Sequence, residues 1–253
     1  MEDGRLEVIG SGSHGNSYIL TCGEDKLLIE LGCPYDDIMA RLDYDLTHVQ
    51  GALISHTHGD HLSKRVAKKM IDRGVKVYGT ICDAMTKEDV ADCFTHLLTP
   101  KMQNNIGNFN VMPLPVPHGT DCFAYIITHE RIGKCLFATD MSDFPYNVRM
   151  VKHLFIEANY SYGYAMDNAS RGEMRSQPDK HMEINDTINV IKRLKDSSEA
   201  KDGIQTCVLL HLSNSNANAK EFKDMVCREV GLRGSTVYVA MPTLSIPLYK
   251  DEY

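Results

Sequence analysis

Several things are missing from this 253-residue sequence, and each absence narrows the choices. No run of about 18 uncharged apolar residues occurs, so no membrane span is expected. The opening Met1-Glu2-Asp3-Gly4-Arg5 lacks the basic-then-apolar profile of a secretion signal. The eight cysteines are scattered and form no C-x-x-C pair, so they read as reduced, mostly buried thiols in a cytoplasmic setting. A zinc site built on thiolates is thereby disfavoured. No long Lys/Arg-rich block is present, and the formal net charge is −7, which lowers the odds of a large polyanionic partner. A close internal repeat is also lacking. What remains, 43% hydrophobic and 24% charged residues, is ordinary globular composition, and one domain spanning 1–253 is expected.

Against this background one stretch stands out. Ser55-His56-Thr57-His58-Gly59-Asp60-His61 places four metal-competent side chains within six residues, directly after the apolar run Ala52-Leu53-Ile54. They therefore sit where a buried strand ends and a helix begins. Imidazole nitrogens and carboxylate oxygens are ligands that a borderline metal such as zinc accepts. His56 and His58 alternate at strand spacing and can point one way, whereas Asp60 and His61 turn off that direction toward a second metal.

Strand and helix patterns alternate along the chain. Leu6-Glu7-Val8-Ile9 reads as a strand that runs into Gly10-Ser11-Gly12-Ser13-His14-Gly15-Asn16-Ser17, either an anion-holding loop or a tight turn. Strands follow at Tyr18-Ile19-Leu20 and Lys26-Leu27-Leu28-Ile29. Residues 34–46 carry a weak helical pattern, 49–54 a strand, and Val66, Ala67, Met70 and Ile71 a helix with Gly74 at its stop. Interleaved Lys64, Arg65, Lys68 and Lys69 read as its solvated face. A strand at 75–78, a helix at 83–94 and a polar loop at 100–110 come next. Residues 111–116 form a strand whose prolines suggest an edge or a strand end. Further strands are expected at 123–128, 135–138, 153–156, 207–210 and 236–240, with helices at 182–194 and around Phe222 to Val230. Residues 160–180, with Tyr160, Tyr162, Tyr164, Arg171 and Arg175, show little apolar periodicity and are expected to be a lid, a binding loop or a subunit contact. Strands and helices alternating in both halves suggest two sheets sandwiched between helices, an α/β fold.

Polar residues follow the apolar strands repeatedly: His118, Asp140, Glu157-Ala158-Asn159 and His211. Collecting strand-end ligands gives His56, His58, Asp60, His61, His118, Asp140 and His211, the number two neighbouring metals need if one carboxylate bridges. The expected division is His56, His58 and His118 on one metal and Asp60, His61 and His211 on the other, with Asp140 shared. His14 reads as a loop residue.

With these residues in place the sequence resembles the metallo-β-lactamase superfamily, whose H-x-H-x-D-H signature is matched by His56 to His61. The later ligands His118, Asp140 and His211 follow in that family's order. The Gly10 to Ser17 stretch, Glu157-Ala158-Asn159, and His211-Leu212-Ser213 with Asn216 are similar to its YycJ-like branch. The resemblance implies an αββα sandwich, a metal site at one edge of the sheets, a homodimer, and phosphodiester hydrolysis rather than β-lactam cleavage. Two departures stand out. Glu30 occupies a strand end where the family usually has Asp, and it is left off the ligand list. Tyr160-Ser161 follows Glu157-Ala158-Asn159 where the branch tends to have His-Asp, which argues against a simple transfer of its proposed DNA exonuclease activity.

The expected chemistry is hydrolysis assisted by two Zn2+ ions, with Mn2+ a fitting substitute, in which the ions acidify a water and orient the phosphate. Asp60 or Asp140 would take up a proton. His181 opens a helix and either serves the phosphate or leaving oxygen or faces solvent. In size and motif set the chain is similar to phage-type anti-Pycsar phosphodiesterases, which implies a small cyclic nucleotide as substrate, with Tyr160, Tyr162 and Tyr164 available to stack a base. A metal-dependent DNA exonuclease is the alternative, with nucleic acid the less favoured partner; a thiolester or lactam hydrolase and a non-enzymatic metal-binding protein are the outside choices.

Overall fold

The computed structural model describes residues 3–80, 91–171, 180–197 and 203–250. Fourteen strands form two seven-stranded mixed sheets. The first sheet has the order β14-β1-β2-β3-β4-β5-β6, with β1 Gly4–Gly10, β2 Ser17–Cys22, β3 Asp25–Ile29, β4 Val49–Leu53, β5 Val77–Gly79, β6 His96–Leu97 and β14 Ser245–Leu248. The second has the order β13-β12-β11-β10-β9-β8-β7, with β7 Asn104–Ile106, β8 Phe109–Val116, β9 Cys122–His129, β10 Gly133–Ala138, β11 His153–Glu157, β12 Thr206–Leu210 and β13 Val237–Val239. Five helices are described: α1 Tyr35–Arg41, α2 Lys64–Asp72, α3 Tyr162–Ser170, α4 Ile184–Asp196 and α5 Ala219–Val230.

Alternation along each strand sorts the apolar residues into three layers. Tyr18, Leu20, Leu27 and Leu53 of the first sheet meet Tyr125, Phe137, Phe155 and Val208 of the second in the central layer. The intervening residues Ile19, Leu28 and Ala52 face outward onto Ile38 and Met39 of α1 and Val66, Ala67 and Met70 of α2. On the far side Leu136, Leu154, Ile156 and Leu209 pack against Ile188, Ile191, Phe222 and Val226 of α4 and α5. Strands buried on both faces read as unbroken apolar runs, which is why β11 and β12 were plain in the sequence. The result is an αββα sandwich, as expected.

Local signals behave as their chemistry requires. Asn218 Oδ1 accepts from the Glu221 amide at the start of α5, and Gly231 ends it in the left-handed region at φ 70°. Gly74 follows α2 at φ 85°. Lys64, Arg65 and Lys68 are exposed on α2, and Lys69 lies over the Tyr35 ring at 4.5 Å. Seven cysteines are free and six of these are buried; Cys82 lies outside the described residues. No helix among the described residues is long and apolar enough to cross a membrane.

Some expectations need correcting. β8 pairs with both β7 and β9, but its end from Met112 to Val116 pairs with β9 alone, so the expected edge is confined to that proline-bearing strand end. The prolines are tolerated because β7 covers only Phe109 to Val111, leaving their side of β8 without a strand partner. Residues 100–110 are not wholly loop: Asn104–Ile106 is β7, too short and polar to show alternation. β14 was not anticipated. Residues 162–170 form α3, a helix that buries only Ala165 and so carries almost no periodic signal. Residues 172–179 and most of the helix expected at 83–94 lie outside the described residues; within the described part of that segment, 91–93 are helical.

Candidate metal centre

Every candidate metal ligand comes from the carboxyl end of a strand or the turn that follows it. β4 leads to Ser55 and the His56–His61 turn, β8 to His118, β10 to Asp140, β11 to Glu157, and β12 to His211. Three residues within two positions of a strand end hold left-handed backbone: Glu30 after β3 at φ 63°, Asp140 after β10 at φ 48° and His211 after β12 at φ 53°. Each such non-glycine residue costs on the order of 1–3 kcal/mol, which persists only where the surroundings over-determine it. All three face the same centre.

The structure brings all seven predicted ligands together. His56, His58, His118 and Asp140 offer ligand atoms within 4.8 Å of one another, and so do Asp60, His61, Asp140 and His211. Asp140 is common to both groups. Its Oδ2 lies 3.8 Å from His56 Nε2 and 3.9 Å from His118 Nε2, while its Oδ1 lies 3.2 Å from His61 Nε2 and 3.3 Å from His211 Nδ1. His58 Nδ1 stands 3.0 Å from His56 Nε2 and 3.4 Å from His118 Nε2. Asp60 Oδ2 is 3.5 Å from His61 Nε2 and 3.7 Å from His211 Nε2.

The rings are held from behind. His56 Nδ1 is 3.0 Å from Ser55 Oγ, and His118 Nδ1 donates to the Lys180 carbonyl at 3.0 Å. His61 Nδ1 faces Glu30 Oε1 at 3.5 Å, and His211 Nδ1 faces Glu157 Oε1 at 3.3 Å. Such partners on the outer nitrogen orient a ring and leave its inner nitrogen for a metal. His211 Nε2 is buried without a hydrogen-bond partner among the described residues. A buried polar atom left unpaired is costly, and together with the N/O donor set it fits a divalent cation.

Charge points the same way. Burial alone would raise the Asp140 carboxyl, but His61 and His211 hold it well below the ordinary range. Burial would lower His61; Asp140 and Glu30 outweigh it and push that ring well above the usual value. For His211, too, burial opposes, yet Asp140, Asp60 and Glu157 raise it to about 10. Four carboxylates thus surround these two rings and call for positive charge. His56 goes the other way, lowered by burial and by His61.

A third cluster adjoins: Asp140, Glu157, His181 and His211. Glu157 is fully buried, accepts from the Met141 and Met182 amides at 2.8 and 3.3 Å, and receives His181 Nδ1 at 2.6 Å. His181 therefore does not simply face solvent; it precedes α4, whose cap is Glu183. Glu157 and Asn16 were not among the predicted site residues. The signal for Glu157 was position: it ends an apolar strand, close to where Asp140 and His211 follow theirs.

The centre floors a cavity of about 620 Å³ lined by Ser13, His14, His58, Lys180, His181 and Ser213 among others. His14 is thus a wall residue and belongs to no metal-competent group among the described residues. The three tyrosines expected to stack a base are not in the cavity's lining. Tyr160 pairs with Glu183, Tyr162 is exposed, and Tyr164 donates to Glu221 at 2.6 Å.

No family model and no curated protein matches the sequence. Solved structures do match. The metallo-β-lactamase fold protein YhfI from Bacillus subtilis is similar with a TM-score of 0.71 and 16% identity, over 96% of this chain and 98% of that one. A diphosphatase of the PhnP family gives 0.63 and 16%, over 97% and 99%. The short form of human tRNase Z gives 0.62 and 12%, over 96% and 99%. At these identities the likeness establishes the fold: this is the metallo-β-lactamase sandwich.

Proposed function

We propose that the chain is a two-zinc phosphodiesterase that hydrolyses small cyclic nucleotides. The observation that carries this reading is that two ligand groups meet on one carboxylate, Asp140, at the floor of an open polar cavity. His56, His58 and His118 would hold one ion, and Asp60, His61 and His211 the other. Bound there, the ions would supply Lewis-acid chemistry to a phosphodiester and a water. The cavity volume suits a small ligand. Serine hydroxyls, Asn159, Asn214 and Lys180 on its walls suit phosphate and sugar oxygens. A diphosphatase and a tRNase among the structural neighbours lend support to phosphoester chemistry.

The protein's own groups divide the remaining work. Glu157 accepts a hydrogen bond from His181 Nδ1, so the other ring nitrogen is available to the cavity. Burial opposes protonation of His181, but Glu157 raises its pKa, which suits a proton donor to the leaving oxygen. Asp60, half-buried and beside His211, is the group placed to accept a proton.

The test is metal analysis followed by hydrolysis of a panel of cyclic nucleotides beside end-labelled DNA. Two equivalents of zinc and turnover of cyclic nucleotides are expected. Cleavage of DNA ends alone would replace the substrate with the alternative, and undiminished activity after metal stripping would sink the mechanism. Two bound equivalents without any turnover would make the protein a metal binder.

A further inference from the structure

The loop between β1 and β2 supplies no predicted ligand, yet it is hydrogen-bonded into one side of the centre. Asn16 is fully buried, and its amide nitrogen lies 3.1 Å from the Gly12 carbonyl, 3.2 Å from the Asp60 carbonyl, 3.4 Å from Asp60 Oδ2 and 2.9 Å from His61 Nε2. Its backbone amide donates to the same Asp60 carbonyl at 2.7 Å. The other end of the side chain is fixed as well, because Asn16 Oδ1 accepts from the Gly12 amide at 2.8 Å and lies 3.4 Å from the Tyr18 hydroxyl. That hydroxyl donates to Ser11 Oγ at 2.8 Å, and Ser11 Oγ accepts from the His211 backbone amide at 2.9 Å.

These contacts run to Asp60, His61 and His211, and none of them reaches His56, His58 or His118. Buried networks of this kind fix geometry when every member is satisfied. With His61 Nε2 engaged by a cation, the two N–H groups of Asn16 have the Gly12 and Asp60 oxygens to serve. We propose that Asn16, with Ser11 and Tyr18, is a positioning device for the Asp60–His61–His211 half of the centre and sets the metal affinity of that half alone. The inference rests on the two-metal reading above, since it needs two sites to differ.

The test is a Zn2+ titration of metal-free protein against a chromophoric chelator, with thermal unfolding of the metal-free forms alongside. The wild type is expected to bind two equivalents. Asn16→Ala should weaken one equivalent by about 10–100-fold, the range seen when a ligand's supporting partner is lost, and leave the other within about twofold. Tyr18→Phe keeps the ring against Phe137, 5.4 Å between centroids, and removes only the hydroxyl. It should weaken the same equivalent by a smaller factor and serves if Asn16→Ala fails to fold. Equal weakening of both equivalents, or of neither, in a folded variant overturns the proposal. A wild type that binds fewer than two equivalents overturns the two-metal reading itself and the proposal with it.

Discussion

The two halves of the centre are built from different material. One is nearly all imidazole: His56 is buried, but His58 is exposed and His118 half-buried at the cavity's edge. The other is sunk among carboxylates, with Asp60 and Asp140 in the group and Glu30 and Glu157 behind its rings. Burial lowers the pKa of His56 and of His118, which favours their neutral, ligating form. Rings in the depths are drawn toward protonation, as His61 and His211 show. A centre of this kind offers imidazole donors on its open side and negative charge on its closed side.

The largest expected effect comes from erasing the distinction. Asp140→Ala removes the group both halves share, so metal analysis should find neither equivalent and hydrolysis should fall to background. His58→Ala, by contrast, should cost only the equivalent at the mouth. His181→Gln should lower kcat by about 10²–10³-fold with metal content unchanged, the scale of a lost general acid; a fall in metal content instead would move His181 into the ligand set. Glu30→Gln should weaken the deep equivalent by about tenfold and the mouth equivalent less, since Glu30 faces His61 directly and reaches His56 only through the Ser55 amide.

The smallest test isolates burial from charge. His153 at the start of β11 is as buried as His61, but burial there pushes its pKa down to about 4. An unfolded histidine takes up a proton near 6.5. As pH falls from 6.5 to 4.5 the unfolded state therefore gains protons that the folded state does not, and stability falls by roughly 2–3 kcal/mol. His153→Leu should flatten that acid limb in urea unfolding and leave turnover unchanged; an identical acid limb would show that the ring does not drive it.

Much of this was legible in the sequence. His56 to His61, Asp140 and His211 could be read because each follows a strand that ends in a buried apolar run, and His118 because it follows the alternating strand β8. β7, β14 and α3 could not, because a three- or four-residue strand and a helix burying one alanine leave no periodic trace. Asn16 was hidden for a different reason. Its role lies in contacts 44 and 45 residues away in sequence, and a loop rich in glycine and serine looks the same whether or not it is tied down. The tyrosines at 160–164 misled because aromatic residues near a site read as recognition, whereas the fold spends Tyr164 on Glu221.

The histidine turn is pinned from behind. Leu31 donates to the His61 carbonyl at 2.8 Å, Ser63 donates back to Leu31 at 3.1 Å, and a Cβ at Gly32 would stand 1.7 Å from the Asp60 carbonyl oxygen. The turn is thus laid against a neighbouring strand end with no room even for a methyl group. Its disorder has already been surrendered on folding, so a cation binding there need not spend its affinity on ordering the chain.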